Sequence, residues 1–517
     1  MSDTSTDVVL HSSISQESLK ATIHSTLGQS GSIREVFILC DKEDSDLQKE
    51  LGRLVNDGYK ISWIHSGDTS GVGLNQAFKN SDSAFILYLD NRDCEITLKL
   101  GAFDLFRLPM KTNPAIGMIY ADYELEQDGQ IQEIHLLKHH IGRVRDNQDY
   151  GKVLFLKKEA LQSVCFADEK IKFNTLYDLR LKLSERYELT HIANRYAGSL
   201  YRAVAAAKGH NVFDYLLASK ESQVEAEQVL TGHLQRINAH LTPGEHYGPR
   251  PAAPEDAELK ATVIIPVNNR PEFIATAIES VQNQTVKEVE VIIVVNGGPG
   301  DPTCDSVRRY MESGDRYDAA KPDVRLLVYD INNLGLCLNM GAAIARGEYY
   351  VQLDSDDRLK PDAIEKILSV YEEDPKIGMV IGSYEVWEKD DAGNYSRMEN
   401  LPVVTHDEWT EDNGRNNLLR INGAGAPRSI PIQLIREIGF SVNEDPYARN
   451  YGEDYNMVLQ ISEKHRIGRV WEAIYEVVRH SGGTDHSIDQ QTIDRNDEAK
   501  DDMRAEAIKR RIKLNKS

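Results

Sequence analysis

A chain of 517 residues is longer than one hydrophobic core usually supports, so two to three compact domains are expected. With 40% hydrophobic and 27% charged residues it has the balance of a globular protein, and no apolar run is long enough to span a bilayer. The net charge of −22 excludes a general nucleic-acid binder, and any anionic substrate must be met by locally placed cations or a bound metal.

The start, Met1-Ser-Asp-Thr-Ser5, lacks the basic and apolar layout of a signal peptide. The five cysteines (Cys40, Cys94, Cys165, Cys304, Cys337) form no CxxC pair or zinc spacing, so they read as reduced, mostly buried thiols of a cytoplasmic protein. Residues 213–241 carry helical spacing in Leu216, Leu217, Val224, Val229, Leu230, Leu234 and Ile237, which predicts one or two bridging helices. Four prolines and two glycines within 242–254 predict an extended connector rather than a packed element. The apolar run 262–267 then opens a new domain as a strand. Pro271 predicts a helix start, with Ile274, Ile278 and Val281 on one face. Strands follow at 289–295, 324–329 and 349–353, and helices after the Asp301-Pro302 cap and over 338–345. Largely apolar strands alternating with helices predict an α/β fold with a mostly parallel sheet, helices on both faces, and ligands beyond the carboxyl ends of the strands.

The last predicted strand ends at Asp354-Ser-Asp-Asp357. Clustered carboxylates suit a hard cation, Mn2+ or Mg2+, that keeps positions open for phosphate oxygens. Taken alone, such a run is more often a solvated turn. The first half repeats this pattern. Residues 71–94 align without gaps on 335–358, with Gly71/Gly335, Leu74/Leu338, Asn75/Asn339, Asp90/Asp354 and Asp93/Asp357 identical. Pro114-Ala-Ile-Gly-Met-Ile119 matches Pro375-Lys-Ile-Gly-Met-Val380, and Tyr123-Glu124 matches Tyr384-Glu385. Ile23, Ser25 and Gln29 fall against Ile278, Ser280 and Gln284. Two diverged copies of one α/β domain are expected.

The order of motifs in the second copy resembles family 2 glycosyltransferases of the GT-A fold. It runs from Ala261-Thr-Val-Ile-Ile-Pro-Val-Asn-Asn-Arg-Pro-Glu272 and Ala277-Ile-Glu-Ser-Val-Gln-Asn-Gln-Thr285, through Asn333-Leu-Gly335, Asn339 and Leu353-Asp-Ser-Asp-Asp357, to Tyr451-Gly-Glu-Asp-Tyr455 and Val478-Arg-His-Ser481. The resemblance implies two GT-A-like domains joined by a helical segment and a Pro/Gly linker: a degenerate one at 1–205, the connector at 206–258, a catalytic one at 259–490, and a C-terminal helix at 491–517. It implies a nucleotide-binding wall at Pro266, Asn268 and Asn296, with Asp354 near the ribose. Asp356 corresponds to the metal ligand of the D-x-D motif, and His480 to a further ligand. Asp454, beside Glu453, corresponds to the base that deprotonates an acceptor hydroxyl in an inverting displacement. The donor is then a nucleotide-diphosphate sugar, with UDP favoured, although Val295-Asn-Gly-Gly-Pro-Gly-Asp301 departs from the family's usual Asp-Asp-Gly-Ser. The acceptor is a glycan or lipid-linked glycoconjugate, in polysaccharide assembly.

Plainer readings stand beside these. Glu453-Asp454 could be an acidic helix start favoured by the dipole, and His480 a surface histidine. Trp387, Trp409 and Trp471 could stack on sugars or pack in the core, and Asn422-Gly-Ala-Gly-Ala-Pro427 could shape an acceptor pocket or simply turn. The terminal helix, acidic then basic, reads as solvated, with peripheral contact to an anionic membrane as the alternative.

In the first copy Arg92 stands where the second has Asp356, Leu176 where it has Asp454, and Arg202-Ala203 where it has Arg479-His480. Three losses predict a retired site, kept as scaffold, for acceptor binding, or for homo-oligomer formation. The rivals are a bifunctional polymerase, a nucleotidyltransferase, which lacks its glycine-rich, lysine-bearing loop here, and a non-catalytic sugar- or nucleotide-binding regulator.

Overall fold

Apolar runs of five to nine residues become strands. The computed structural model describes residues 5–29, 33–41, 48–49, 51–52, 60–65, 70–194, 198–205, 220–390, 393–407, 409–410, 412–421, 423, 425–442, 452–480 and 490–516. The chain divides into two units, Met1–Asn238 and Ala239–Ser517.

The first unit holds β1 (Thr6–His11), β2 (Ile33–Cys40), β3 (Lys60–His65), β4 (Phe85–Leu89), β5 (Cys94–Leu98), β6 (Ile116–Ala121), β7 (Tyr123–Gln127), β8 (Gln130–Ile134), β9 (Val153–Lys157), β10 (Glu188–Ile192) and β11 (Tyr201–Ala205). They form sheets in the orders β3-β2-β1-β4-β9-β6-β10 and β5-β11-β7-β8. The second unit holds β12 (Leu259–Val267), β13 (Val289–Val295), β14 (Asp323–Val328), β15 (Gly347–Gln352), β16 (Arg358–Leu359), β17 (Ile377–Lys389), β18 (Tyr395–Arg397), β19 (Arg428–Pro431) and β20 (Arg466–Arg479). Its order is β14-β13-β12-β15-β19-β17-β20-β16, with β18 on β17. Position by position the two orders coincide. In both, three parallel pairings lead to one antiparallel strand, β9 or β19. The long β17 and β20 run unbroken where the first unit divides them into β6 with β7 and β10 with β11. Central residues Val263, Ile265, Val291, Ile293 and Val351 are fully buried, as a parallel sheet covered on both faces requires.

The identical residues of the repeat do identical work. Asn75 Nδ2 donates to the Ala167 carbonyl and its Oδ1 accepts the Ala167 N–H. Asn339 does the same with Phe440. Gln29 bridges the Ser25 and Leu98 carbonyls, and Gln284 those of Ser280 and Lys360. A Cβ added at Gly71 would crowd the Ile171 carbonyl at 3.1 Å, and one at Gly335 the Ser441 carbonyl at 2.1 Å.

Several expectations need correction. The helix expected at Pro271 spans Ile274–Gln282, because turns closing on the Arg270 carbonyl precede it. The helix expected over 338–345 begins earlier, at Leu334, where Asn333 Oδ1 accepts the Leu336 N–H. The connector has no regular secondary structure, yet it is packed: Gly248 N–H donates to the Lys464 carbonyl, Arg250 N–H to Pro375, and Arg415 bonds the Thr242 and Glu245 carbonyls. Of the predicted bridging helices, 213–219 lie outside the described residues. Lys220–Arg236 packs within the first unit, where His233 and Arg236 meet Glu185. The C-terminal helix, Gln490–Leu514, is not solvated. It buries Lys500, Asp501, Arg504, Ala507, Ile508 and Arg511, and Arg510 pairs with Glu463. No helix among the described residues is long and apolar enough to cross a membrane. Four of the cysteines are buried and Cys165 is exposed. Trp409 is core, whereas Trp471 is 55% exposed beneath the Arg469 guanidinium.

Candidate active site

β15 delivers Asp354 at its carboxyl end, and the loop to β16 carries Ser355, Asp356 and Asp357. Three carboxylates so close repel one another unless protonation, hydrogen bonds or a cation offset their charge. Asp357 is the structural one: buried, it accepts the Tyr475 hydroxyl at 2.8 Å and the Val478 N–H at 2.8 Å. Tyr475 also accepts the Asp354 N–H at 3.0 Å, so one buried phenol ties the acidic loop to β20. That tie fixes the end of β20, and His480 follows. Its Nε2 lies 3.0 Å from Asp356 Oδ2, and its ring packs 4.3 Å from that of Phe273.

Burial, and then the Asp354 and Asp356 charges, push the Asp357 carboxyl well above the usual range. Crowding by protein atoms, and then the Asp356 charge, push Asp354 up to about 6; because its surface stays open to water, solvent moderates that push.

The second acidic group sits at the start of the helix Glu453–Lys464, after Gly452 in the left-handed conformation (φ 84°). Asp454 Oδ2 is 2.8 Å from an Arg428 nitrogen. Arg428, on β19, is held below the strand ends with its side chain 11% exposed, and its charge also acts on Asp354 and Glu453. Glu453 is buried with Oε2 lacking a hydrogen-bond partner, and burial followed by the Asp454 charge pushes it up to about 7. The acidic loop and the helix start therefore share one cation.

The expected nucleotide wall lies on neighbouring strand ends. Pro266 is in β12 opposite Val294, and Asn268 is exposed just beyond that strand. Asn296 follows β13; its N–H donates to the Val267 carbonyl and its Nδ2 lies 3.3 Å from Asn332 Oδ1. Asp301, in the departing segment, accepts the Asn269 N–H at 2.7 Å and the Thr303 N–H at 2.8 Å, so it braces this rim. Tyr451, Asn422, Ala424 and Ser481 lie outside the described residues. Among the described residues no group of three or more His, Cys, Asp or Glu side chains forms a ready metal cage; Asp356 and His480 are a pair of donors. Arg428, Tyr475 and Asp357's structural role escaped sequence reasoning, since a lone arginine after Pro427 or a tyrosine in an apolar strand carries no motif.

The corresponding place in the first unit is built differently. Arg92 forms a two-bond ion pair with Asp90, at 2.6 and 2.8 Å, so the position of Asp356 carries an internal countercharge. The helices Thr175–Ser184 and Glu453–Lys464 start at matching points, which puts Leu176 at the place of Asp454. Strand pairing corrects the third assignment. Arg202 faces Thr97 and Glu124 as Glu476 faces Arg358 and Glu385, so Ala205, not Arg202, matches Arg479. His480 then matches Ala206, which lies outside the described residues.

Residues 262–429 match the family model described as Glycosyl transferase family 2. Chondroitin synthase of Escherichia coli is 31% identical over 161 residues, which are 30% of this chain and 22% of that protein. Glycosyltransferase GlyG of Streptococcus pneumoniae is 30% identical over 139 residues, 26% of this chain and 42% of that one. The chain thus spans less than half the length of these relatives. Among solved structures, S. aureus TarS 1–349 in complex with UDP-GlcNAc aligns over 48% of this chain and 72% of its own, at 16% identity and a TM-score of 0.36, a likeness too low to carry an argument. The segment 262–429, whose strand ends carry the acidic loop, is thus the part of this chain that matches glycosyl transferase family 2.

Proposed function

We propose that the second unit transfers a sugar from a nucleotide-diphosphate donor to a hydroxyl of a glycan or lipid-linked acceptor, with inversion. The observation that carries this is the convergence of the acidic loop, His480 and the Arg428–Asp454 pair at one end of the sheet. Pro266, Asn268 and Asn296 line the nucleotide side, and Asp354 faces the ribose. Asp356 and His480 offer one carboxylate oxygen and one imidazole nitrogen, a donor set that suits Mn2+ or Mg2+ with positions left for phosphate oxygens. A metal held there would supply positive charge to a diphosphate leaving group. Asp454, oriented by Arg428, takes the acceptor proton as the oxygen attacks the anomeric carbon, and Glu453 supports it from below. UDP is the favoured nucleotide, and polysaccharide assembly the setting.

The first unit is a degenerate copy of the same domain. The shared strand order supports this reading, as do Arg92 bound to Asp90 and Leu176 at the base position. A bifunctional enzyme would need acids at both places.

Calorimetry with a panel of nucleoside diphosphates, in Mn2+ and in chelator, tests the proposal. One metal-dependent site per chain, lost in Asp356→Ala, is the expected result. Two sites would restore the bifunctional reading, and no binding of any nucleotide would overturn the transferase assignment.

A further inference from the structure

In each unit a closing helix packs on the helix that starts beside the site: Lys220–Arg236 on Thr175–Ser184, and Gln490–Leu514 on Glu453–Lys464. Each pair is tied at the same point, Glu185 with Arg236 and Glu463 with Arg510. Their buried faces differ in kind. The first unit uses Ala226, Val229, Leu230, His233 and Leu234. The second uses Lys500, Asp501, Arg504 and Arg511 beside Ala507 and Ile508. The first unit closes with a mainly apolar face whose one polar member, His233, meets Glu185. Taking a cation out of water costs several kcal/mol unless opposite charge repays it, on the order of the largest single-residue effects in folding.

The buried cations have separate targets. Arg504 is bound to Asp501 Oδ1 at 2.6 Å and to the Ile421 carbonyl at 2.8 Å, and Arg511 bonds the Arg415 carbonyl. Lys500, 6% exposed, lies under the turn that presents the acids. Its Cγ would be 3.5 Å from a Cβ placed on Gly452, and its ammonium is 5.5 Å from the centre of the Tyr455 ring. Gly452 and Tyr455 bracket Glu453 and Asp454. The charges acting on Lys500 are Asp454, Arg504, Asp497 and Glu453; the groups that face the acidic pair from other elements are Arg428, Asp354 and the buried Tyr350 phenol.

We propose that Lys500 is a positioning residue, carried by the closing helix to the underside of the Glu453–Asp454 turn, where its charge holds the acidic pair negative and in place. The inference rests on the reading of Asp454 as the base. Burial and then Asp454 push Glu453 up to about 7, while Arg428 and, after it, Lys500 pull it down; burial in turn lowers Lys500 to about 8. Without Lys500, Glu453 gives up its proton at higher pH. The same face in the first unit needs no cation, because Thr175 and Leu176 stand where Glu453 and Asp454 do.

The full chain carrying Lys500→Met or Lys500→Arg tests this by two readouts. The first is a melting cycle at pH 7, where Lys500 is charged, that combines Lys500→Met with Asp454→Asn. Each single change is expected to lower the melting temperature, and the double variant to melt no lower than the worse single. The second is the pH profile of UDP release from a panel of UDP-sugars. Lys500→Met should keep its UDP affinity while the acidic limb of turnover moves up by about one unit, a loss of roughly tenfold at its foot, and Lys500→Arg should restore the limb. Additive melting, or equal damage from Met and Arg, would overturn the proposal; the arginine variant also decides the matter should the methionine variant not fold. If Asp454→Asn kept full turnover, the base assignment would fall, while the melting cycle would still decide the contact.

Discussion

Replacing Glu453 by glutamine gives a stability change whose pH dependence follows from the structure. Glu453 is 6% exposed and its carboxyl is pushed from 4.5 up to about 7, first by burial and then by the Asp454 charge. Between those values the folded protein keeps a proton that the unfolded chain has lost. Stability therefore falls as pH rises from about 4.5 to about 7, and the full cost is present above that window. At about 1.4 kcal/mol per unit, the cost is about 3 kcal/mol. Glutamine matches the carboxyl in size and never ionises, so any penalty for its buried amide is the same at every pH. The gap between variant and wild type should widen in the variant's favour by about 2–3 kcal/mol from pH 5 to pH 8.5. In melting temperature that is roughly 3–6 °C for a unit of this size. Urea and thermal unfolding across this range measure it. A gap that stays constant, or narrows as pH rises, would refute the argument that a buried, charge-crowded carboxyl sits beside Asp454.

Tyr475→Phe removes the hydroxyl that Asp354 N–H and Asp357 share, leaving two groups short of a partner; a loss of about 2–4 kcal/mol is expected. Melting within a degree of wild type would show that the acidic loop does not depend on β20. Gly335→Ala places a methyl 2.1 Å from the Ser441 carbonyl, a backbone atom that cannot swing away, so a drop of about 2–4 kcal/mol in urea unfolding is expected. Asp90→Ala should leave transfer nearly untouched and cost at most about 1 kcal/mol, since Arg92 is 46% exposed. Loss of transfer in that variant, with the fold intact, would return a catalytic role to the first unit.

Much of this architecture was legible because its signals are local. Val289–Val295 is a strand with the bounds its apolar run suggests, and the acidic loop stands at the end of β15. The repeat was visible for a physical reason: Gly71, Asn75 and Gln29 persist in both copies because they bond or crowd backbone, and backbone geometry changes little. Asp356 and Asp454, which the proposed reaction uses, are replaced in the first half by Arg92 and Leu176. Arg428 and Tyr475 were not legible, since their importance depends on groups distant in sequence, Asp454 and Asp357. Gln490–Leu514 misled because its sequence is mostly charged. The signal was there in Lys500, Arg504, Ile508 and Arg511, which return every three or four residues to one face, but charged residues at such spacing ordinarily face water. Arg202 was placed three residues out of step, since short alternating strands give little to align and only the ladder fixes their register.

The connector has a practical consequence for anyone cutting this gene into expressible pieces. Its prolines and glycines invite a start codon near residue 259, yet Leu241 exchanges two hydrogen bonds with Asn416, and Arg250 lies over the Tyr371 ring and bonds the Asp374 carbonyl. A fragment begun at 259 would leave Asn416 and Arg415, both sealed from water in the whole chain, facing solvent along a stripped groove. The boundary that keeps the second unit clothed lies at Ala239, where the first unit has just ended.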